Sequence, residues 1–339
     1  MTLSEVAKEA GVAASTVSRY LRGQLKVQDA TRDRIDEALR RTGYRPPSSD
    51  TSDDFFALIV PELANPFYAA LAEACVSLAA EAGMSLLVSL SGKQAARESR
   101  LTRQVAAAPN ITGLIYAGMN RTNRELRQAI AGGLPTVILD EDIELGDDVA
   151  VSTVTVDNYA GAYQATRYLT TLGHRRIAHI GGPAGLPTSL ERTRGYRDAM
   201  GAAGLEVDPG LIFHGPYTER FGASVLSHLM TSAPAPTAVF VASDIVAIGL
   251  LGGADLQGVS IPRDLSVVGC DGIRTGEWVN PRLTTLVQPV RELATEAMAA
   301  LESATRRPGS VTHQVLPLQL VVRDSAIPLA GDALSPGAS

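Results

Sequence analysis

Apolar residues recur with helical spacing over the first 42 residues, and they predict three short helices. The first helix begins at Thr2, which has the spacing of a capping box with Glu5 three residues later, and it ends at Gly11. The second helix begins at Ser15, and the third covers residues 28–42. The inward positions of the first two helices are Leu3, Val6, Ala7, Ala10, Val17, Tyr20 and Leu21. The pattern therefore predicts a small three-helix domain whose second helix turns a polar face outward.

From residue 55 onward, short apolar runs alternate with helical stretches, which predicts a parallel sheet with helical crossovers. The predicted strands cover residues 55–60, 85–89, 111–116, 136–139, 151–156, 177–181, 211–214, 238–242 and 266–269. The predicted helices cover residues 66–82, 95–107, 123–131, 160–172, 190–203 and 222–231. Two blocks of similar size follow one another. We therefore expect two α/β lobes, each a doubly wound parallel sheet, with a ligand cleft between their strand ends.

The net charge of −6 is unevenly distributed along the 339 residues. Residues 1–46 contain nine Lys and Arg against six Asp and Glu, whereas the remainder contains 21 against 30. Attraction to phosphate is therefore expected only from the N-terminal domain. The acidic residues 140–148 do not have the spacing of a calcium-binding loop, so we expect a solvated surface turn there.

Several classes of protein are excluded by the sequence. Cys75 and Cys270 lie far apart without a CxxC motif, so neither a disulfide framework nor a metal site is predicted. Apolar runs are shorter than the roughly 18 residues of a membrane helix, and a secretory signal is lacking, so we expect a cytoplasmic protein without membrane contact. Glycine-rich phosphate loops and the GxSxG and HExxH motifs are also missing. We therefore expect that the protein is not an enzyme and binds no cofactor.

The outer face of the second helix carries hydroxyl and guanidinium groups. Such groups suit phosphate oxygens and the O6 and N7 edge of guanine in the major groove. A helical hairpin with solvated polar residues would show the same spacing, so the helix pattern alone leaves both interpretations open.

The order of short motifs resembles the LacI/GalR family of transcription regulators. The resemblance rests on residues 3–7, 10–12 and 15–21, and on Gly43-Tyr44-Arg45-Pro46 at the end of the domain. It continues to about Asp324 through a core similar to periplasmic sugar-binding proteins, as in Asn65-Pro66-Phe67-Tyr68 and Ala242-Ser243-Asp244. It implies three helix-turn-helix residues that read base edges, which are Ala14, Ser15 and Arg19, and three that hold phosphates, which are Thr16, Ser18 and Arg22.

The resemblance also implies a small-molecule effector between the lobes. Arg192 and Asp271 match effector positions of the second lobe, and Phe67 and Tyr68 match those of the first. Further candidates are Thr188, Ser243 and Gln288. Without the resemblance, a structural ion pair or two separate surface charges would be the better interpretation of Arg192 and Asp271. These residue types suit a pentose, a hexose or a purine alike, so they do not name the effector.

The predicted domains are a headpiece of residues 1–46, a linker of residues 47–54, a core of residues 55–325 and a disordered tail of residues 326–339. Within the core, lobe 1 comprises residues 55–155 and 286–315, and lobe 2 comprises residues 156–285 and 316–325. The linker departs from the family because it holds three aspartates and lacks the usual hinge helix with its minor-groove leucine. We expect a flexible tether without DNA contact there.

These observations predict a ligand-responsive, sequence-specific repressor of transcription. Its partners are operator double-stranded DNA, a small-molecule effector such as a sugar, and a second copy of the chain, because one headpiece reads too few bases. Two alternatives stay open. One is a solute-binding protein or an enzyme on a doubly wound fold, and the other is a regulator that has lost effector control through its short linker.

Overall fold

The computed structural model describes residues 3–21, 25, 27–42, 54–146 and 148–329. The chain divides into two compact units, Met1–Asp54 and Phe55–Ser339. Among the described residues, every helix is too short or too polar to cross a membrane.

The first unit is the predicted three-helix headpiece. Its helices are α1 (Leu3–Ala10), α2 (Ala14–Leu21) and α3 (Asp29–Thr42). Gly11 turns the chain between α1 and α2 with a φ of 62°, in the left-handed region that glycine tolerates best. The buried residues of the headpiece are Val6, Ala7, Ala10, Val17, Ile35 and Ala38. The Tyr20 hydroxyl donates to Asp36 at 3.2 Å, which ties α2 to α3.

The second unit contains two six-stranded sheets, which confirms the two-lobed α/β prediction. The lobe 1 sheet has the order β11-β5-β4-β3-β1-β2, and its neighbouring strands are parallel. Its strands are β1 (Phe55–Val60), β2 (Ser85–Leu90), β3 (Ile111–Tyr116), β4 (Thr136–Leu139), β5 (Ser152–Val156) and β11 (His313–Leu316). Its helices are α4 (Pro66–Glu81), α5 (Ala95–Ala107), α6 (Arg124–Ala131) and α11 (Val290–Arg306). Helix α4 packs with α11, and α5 packs with α6.

The lobe 2 sheet has the order β12-β10-β9-β8-β6-β7, with β12 antiparallel to β10 at the edge. Its strands are β6 (Ile177–Gly181), β7 (Ile212–His214), β8 (Ala238–Val241), β9 (Ser266–Asp271), β10 (Thr284–Val287) and β12 (Gln319–Val321). Its helices are α7 (Asn158–Thr171), α8 (Pro187–Ala202), α9 (Glu219–Thr231) and α10 (Asp244–Gln257), with short 3-10 turns at Pro209–Leu211 and Arg274–Glu277.

The chain passes between the two sheets three times: after β5, after β10 and after β11. The predicted lobe boundary at residue 286 is therefore wrong by about two residues, because β10 belongs wholly to the lobe 2 sheet. The predicted tail also begins too early. Ala326 is buried, and the backbone N–H of Leu329 donates to the Leu172 carbonyl at 2.8 Å. Residues 330–339 and 47–53 lie outside the described residues.

Two helices, α10 and α11, and the strands β10, β11 and β12 are not among the predicted elements. Helix α10 is buried on most of its circumference and contains Gly249, Gly252 and Gly253. A helix without a polar face has no hydrophobic periodicity, and its glycines indicate a loop instead. The three strands are only three or four residues long, too short for a pattern to stand out.

A glycine on each of the helices α9 and α10 explains their close contact. A Cβ atom on Gly249 would lie 2.0 Å from the carbonyl oxygen of Glu219, and one on Gly222 would lie 1.9 Å from that of Val246. The two helix backbones therefore approach each other at positions where only hydrogen fits.

We expect Gly249→Ala to lower the free energy of unfolding by about 1–3 kcal/mol or more, because the added methyl group must push two backbones apart. Gly252→Ala on the same helix is the matched control, since nothing lies within 4 Å of its Cβ position. That change should raise stability by up to about 1 kcal/mol through helix propensity. Urea unfolding followed by circular dichroism measures both, and equal effects would contradict the packing argument.

Candidate functional site

The outer face of α2 is accessible in the headpiece. Ser15 and Arg19 are exposed and lie one helical turn apart, so both point away from the headpiece core. Thr16 and Ser18 are partly exposed beside them. Ala14 is partly buried and packs on the headpiece core. Arg22 lies outside the described residues.

In the core, polar side chains converge where strands of both lobes end. Asp271 ends β9 with a φ of 130°, and Ser243 and Gln288 follow β8 and β10. Arg192 projects from α8, whose first helical residue is Pro187. From lobe 1, Phe67 and Tyr68 lie in the first turn of α4, which Asn65 caps by accepting a hydrogen bond from the Phe67 N–H. Parallel sheets place ligand sites at this edge because the loops after successive strands meet there.

Arg192 and Asp271 are the charged centre of this cleft. Both side chains are 5% exposed, and the Arg192 Nη1 atom lies 4.0 Å from Asp271 Oδ1. Arg192 Nε donates to Asn158 Oδ1 at 2.7 Å, and Nη1 donates to the Ala242 carbonyl at 2.5 Å. The guanidinium group is thus held in place by lobe 2 itself, with its plane fixed in the cleft.

Hydrogen bonds also fix the carboxylate of Asp271. The Ser243 hydroxyl donates to Oδ2 at 2.7 Å, and Gln288 Nε2 donates to Oδ1 at 2.9 Å. The backbone N–H of Asp244 donates to Oδ2 at 3.2 Å. Burial raises the pKa of Asp271, while Arg192 and these donors act against that rise. The result is an oriented acceptor of the type that binds ligand hydroxyls.

The structure adds two acidic cleft residues that the sequence interpretation missed, Asp140 and Glu141. They are 5% and 2% exposed, so the prediction of a solvated turn beginning at residue 140 is wrong at its start. The Tyr68 hydroxyl donates to Asp140 Oδ2 at 3.3 Å, and the Thr188 hydroxyl donates to Glu141 Oε1 at 2.6 Å. The signal was available, because Asp140 directly follows the carboxyl end of strand β4, just as Ser243 and Gln288 follow strands β8 and β10.

Burial raises the pKa of the carboxyl groups in and beside the cleft. It raises the pKa of Asp140 to about 6 and, together with the charge of Asp140, that of Glu141 to about 8. Asp244 behaves alike, since burial and the charge of Asp271 raise its pKa to about 7. A single buried guanidinium group, that of Arg192, faces three carboxyl groups lining the cavity, so the cleft carries surplus negative charge whenever they ionise.

All seven predicted effector positions line one cavity between the lobes, together with Asn65, Asp140, Glu141 and Tyr217. Its volume is about 20 Å³, little more than the space that one water needs, so a larger ligand must part the lobes. A second cavity of about 590 Å³ opens beside it. Within the part of the chain that the structure describes, no cluster of three His, Cys, Asp or Glu side chains is arranged to hold a metal ion.

Two family models match the chain. Residues 2–47 match the bacterial regulatory proteins of the lacI family, and residues 166–326 match a periplasmic binding protein-like domain. The chain is 32% identical to the HTH-type transcriptional repressor CytR of Escherichia coli (strain K12) over 88% of each protein. It is also 32% identical to the HTH-type transcriptional regulator CelR of Thermobifida fusca, over 96% of this chain and 98% of the relative. The chain belongs to the LacI family.

Solved structures of LacI-family proteins share this fold. The complex of the transcriptional regulator CelR with cellobiose aligns with a TM-score of 0.74 and 31% identity, over 96% of this chain and all of that one. A LacI-family regulator from Enterococcus faecium with bound ribose aligns with a TM-score of 0.72 and 25% identity, over 81% of this chain and all of that one. This LacI-family member is a ligand-responsive, DNA-binding regulator of transcription.

Proposed function

We propose that the chain represses transcription by placing α2 in the major groove of operator DNA, and that a neutral sugar-like effector bound between the lobes changes its affinity for that DNA. The observation that carries the effector proposal is the buried Arg192 and Asp271 pair at the lobe boundary, oriented by Asn158, Ser243 and Gln288. A fixed donor fork beside a fixed acceptor suits vicinal hydroxyl groups. Relatives named as regulators bind cellobiose and ribose.

For the headpiece, we propose that Arg19 reads guanine and that Ser15 contacts a neighbouring base edge, while Thr16, Ser18 and Arg22 hold phosphates. The exposure of Ser15 and Arg19 on one face of α2 supports this assignment. The protein would act in the cytoplasm, where operator DNA is accessible. We also propose that it carries out no chemistry on its ligand, in line with the relatives' names as regulators.

We expect Arg19→Ala to reduce the preference for operator over scrambled DNA by about 1–3 kcal/mol per half-site, because one bidentate contact to guanine is lost. Arg40→Ala is the matched control, since Arg40 is exposed on α3 and its loss removes the same charge. The operator is selected from random-sequence DNA. Binding to it and to scrambled DNA at fixed salt gives the ratio of the two affinities for each variant. An unchanged operator preference in the Arg19 variant would overturn the assignment.

We further propose that the chain acts as a homodimer through the outer side of lobe 1. Strand β2 forms the edge of the lobe 1 sheet, and its Leu87 is 45% exposed beside Val88 at 36%. Val76, on the adjoining helix α4, is 40% exposed. An apolar edge strand of this kind is normally covered by a partner, and a two-fold pair of headpieces reads a palindromic operator.

We expect Leu87→Glu to shift the chain from dimer to monomer and to raise the dimer dissociation constant at least tenfold, because it places a charge in the buried interface. Leu256→Glu is the matched control, since Leu256 is 87% exposed on α10 of lobe 2. Analytical ultracentrifugation measures both variants. A Leu87 variant that stays dimeric would place the interface elsewhere.

A further inference from the structure

Two side chains of lobe 1 contact one short segment of lobe 2, residues 185–188, which leads into helix α8. Arg121, from the loop after β3, donates through Nη1 to the Gly185 carbonyl at 3.0 Å. The Thr188 hydroxyl donates to Glu141 Oε1 at 2.6 Å, and the Thr188 N–H donates to Oε2 at 3.4 Å. Both ends of the segment are therefore held by the other lobe.

Helix α8 depends on lobe 1 for a hydrogen-bond acceptor at its start. Its N-cap residue is Leu186, whose apolar side chain makes no capping hydrogen bond, and Pro187 has no N–H to donate. Thr188 therefore carries the first backbone N–H of the helix, which no carbonyl of the helix can accept. Glu141 supplies the acceptor from lobe 1. The start of α8 is thus completed by the other lobe.

The loop that carries Arg121 is fixed within lobe 1. The buried carboxylate of Glu98 accepts hydrogen bonds from the backbone N–H groups of Met119 at 3.2 Å and Asn120 at 2.9 Å. The Arg121 side chain is paired with Glu144, whose own N–H donates to the Arg121 carbonyl at 2.8 Å. The guanidinium group is therefore oriented by lobe 1 itself, so little side-chain freedom is lost when it contacts lobe 2.

The same segment is close to the effector residues and to the openings of the cleft. Arg192 lies four residues after Thr188, about one helical turn along α8. Arg121 lines both the cavity of about 590 Å³ and a further cavity of about 390 Å³ on the side of Asn158 and Val315. Arg121 therefore spans the cleft between two openings, and its contact with lobe 2 must break before the lobes part.

We propose that Arg121 and Glu141 are positioning residues that hold the start of α8 against lobe 1 and thereby set how readily the lobes part. We call these two side chains with residues 185–188 the interlobe clamp. Loss of either side chain should raise the fraction of chains with an open cleft, and with it change operator affinity. The second part rests on the proposed function, because it takes the arrangement of the lobes to control DNA binding.

A pair of arginine variants tests the interlobe clamp. Arg121→Met removes the hydrogen bond to lobe 2 and keeps the apolar part of the side chain. Arg127→Met is the matched control, because Arg127 donates to the Leu145 carbonyl at 2.7 Å and pairs with Asp148 at 2.6 Å, wholly within lobe 1. The two arginine side chains are 41% and 44% exposed. They differ in whether the carbonyl that they hold belongs to the other lobe.

Hydrogen–deuterium exchange of the full chain, followed by mass spectrometry of residues 186–190, measures how often the segment is released. The Thr188 N–H is bonded to Glu141, so its exchange reports separation from lobe 1 and not the loss of the Arg121 hydrogen bond itself. We expect exchange about three to ten times faster in Arg121→Met, because one hydrogen bond from a charged, partly exposed donor is lost, and unchanged exchange in Arg127→Met. Equal exchange in the two variants would overturn the interlobe clamp.

Operator binding by the same variants separates the interlobe clamp from the proposed function. We expect Arg121→Met to change operator affinity by at least about threefold and Arg127→Met to leave it unchanged. If exchange rises in the Arg121 variant while operator affinity stays the same, the interlobe clamp stands and the proposed link between cleft and DNA binding fails. If operator affinity changes while exchange does not, that link stands and the interlobe clamp is overturned.

Discussion

Replacing Arg192 with methionine is expected to lower the free energy of unfolding by about 3–5 kcal/mol and to abolish binding of the proposed sugar effector. The guanidinium group is buried and holds Asn158 and the Ala242 carbonyl by hydrogen bonds of 2.7 and 2.5 Å. Methionine fills the space of the alkyl chain but leaves those acceptors and the Asp271 carboxylate without a cation. Urea unfolding at pH 7 and calorimetric titration with a sugar that binds the parent chain measure the two losses.

Arg194 provides the matched control on the same helix. Its side chain is 59% exposed, pairs with Glu191 and lies over the Tyr159 ring at 4.3 Å. Exposed ion pairs and ring contacts of this kind contribute at most about 1 kcal/mol each, so Arg194→Met should change stability little and ligand affinity not at all. Equal losses in the two variants would show that position on α8, and not the cleft charge, causes the effect.

The sequence is informative about this fold wherever one element has one clear pattern. Strands such as β1 and β3 are continuous apolar runs bounded by polar loops, so their predicted ends agree with the structure. The prediction missed helix α10 because this helix is buried between α9 and the sheet and therefore has no amphipathic pattern. The family resemblance supplied the three crossings between lobes, which hydrophobic periodicity does not encode.

The cleft was predicted in part for a similar reason. Residues matched to the family, such as Arg192 and Asp271, do converge on one cavity. The prediction of the cleft did not include Asp140 and Glu141, because they belong to an acidic stretch and most acidic stretches are solvated. Their burial depends on lobe 2, since Thr188 lies 47 residues further along the chain and donates to Glu141. Contacts of that kind are set by how the lobes meet, which a local pattern does not contain.

Glu141 gives the last prediction, which concerns pH. Its pKa is about 8 in the folded chain against an ordinary value of 4.5, because of burial first and the charge of Asp140 second. Between those values the folded chain keeps a proton on Glu141 that the unfolded chain has released. The resulting stability is fully present below about pH 4.5 and is lost as the pH rises toward 8. The slope is about 1.4 kcal/mol per pH unit for one proton.

Glu141→Gln is therefore expected to flatten the fall in stability between about pH 5 and 8, by about 1.4 kcal/mol per pH unit. The variant should match the parent chain near pH 5 and exceed it by a few kcal/mol near pH 8. Asp142→Asn removes the same charge from the exposed neighbouring residue and should leave the slope unchanged.

Urea unfolding at several pH values measures the slopes. Asp140 and Asp244, whose pKa values of about 6 and 7 have the same sign of effect, contribute to the remaining slope, and His179 opposes it because burial lowers its pKa to about 3. A Glu141 variant with an unchanged slope would mean that this carboxyl group ionises in the closed cleft, with Arg192 compensating its charge.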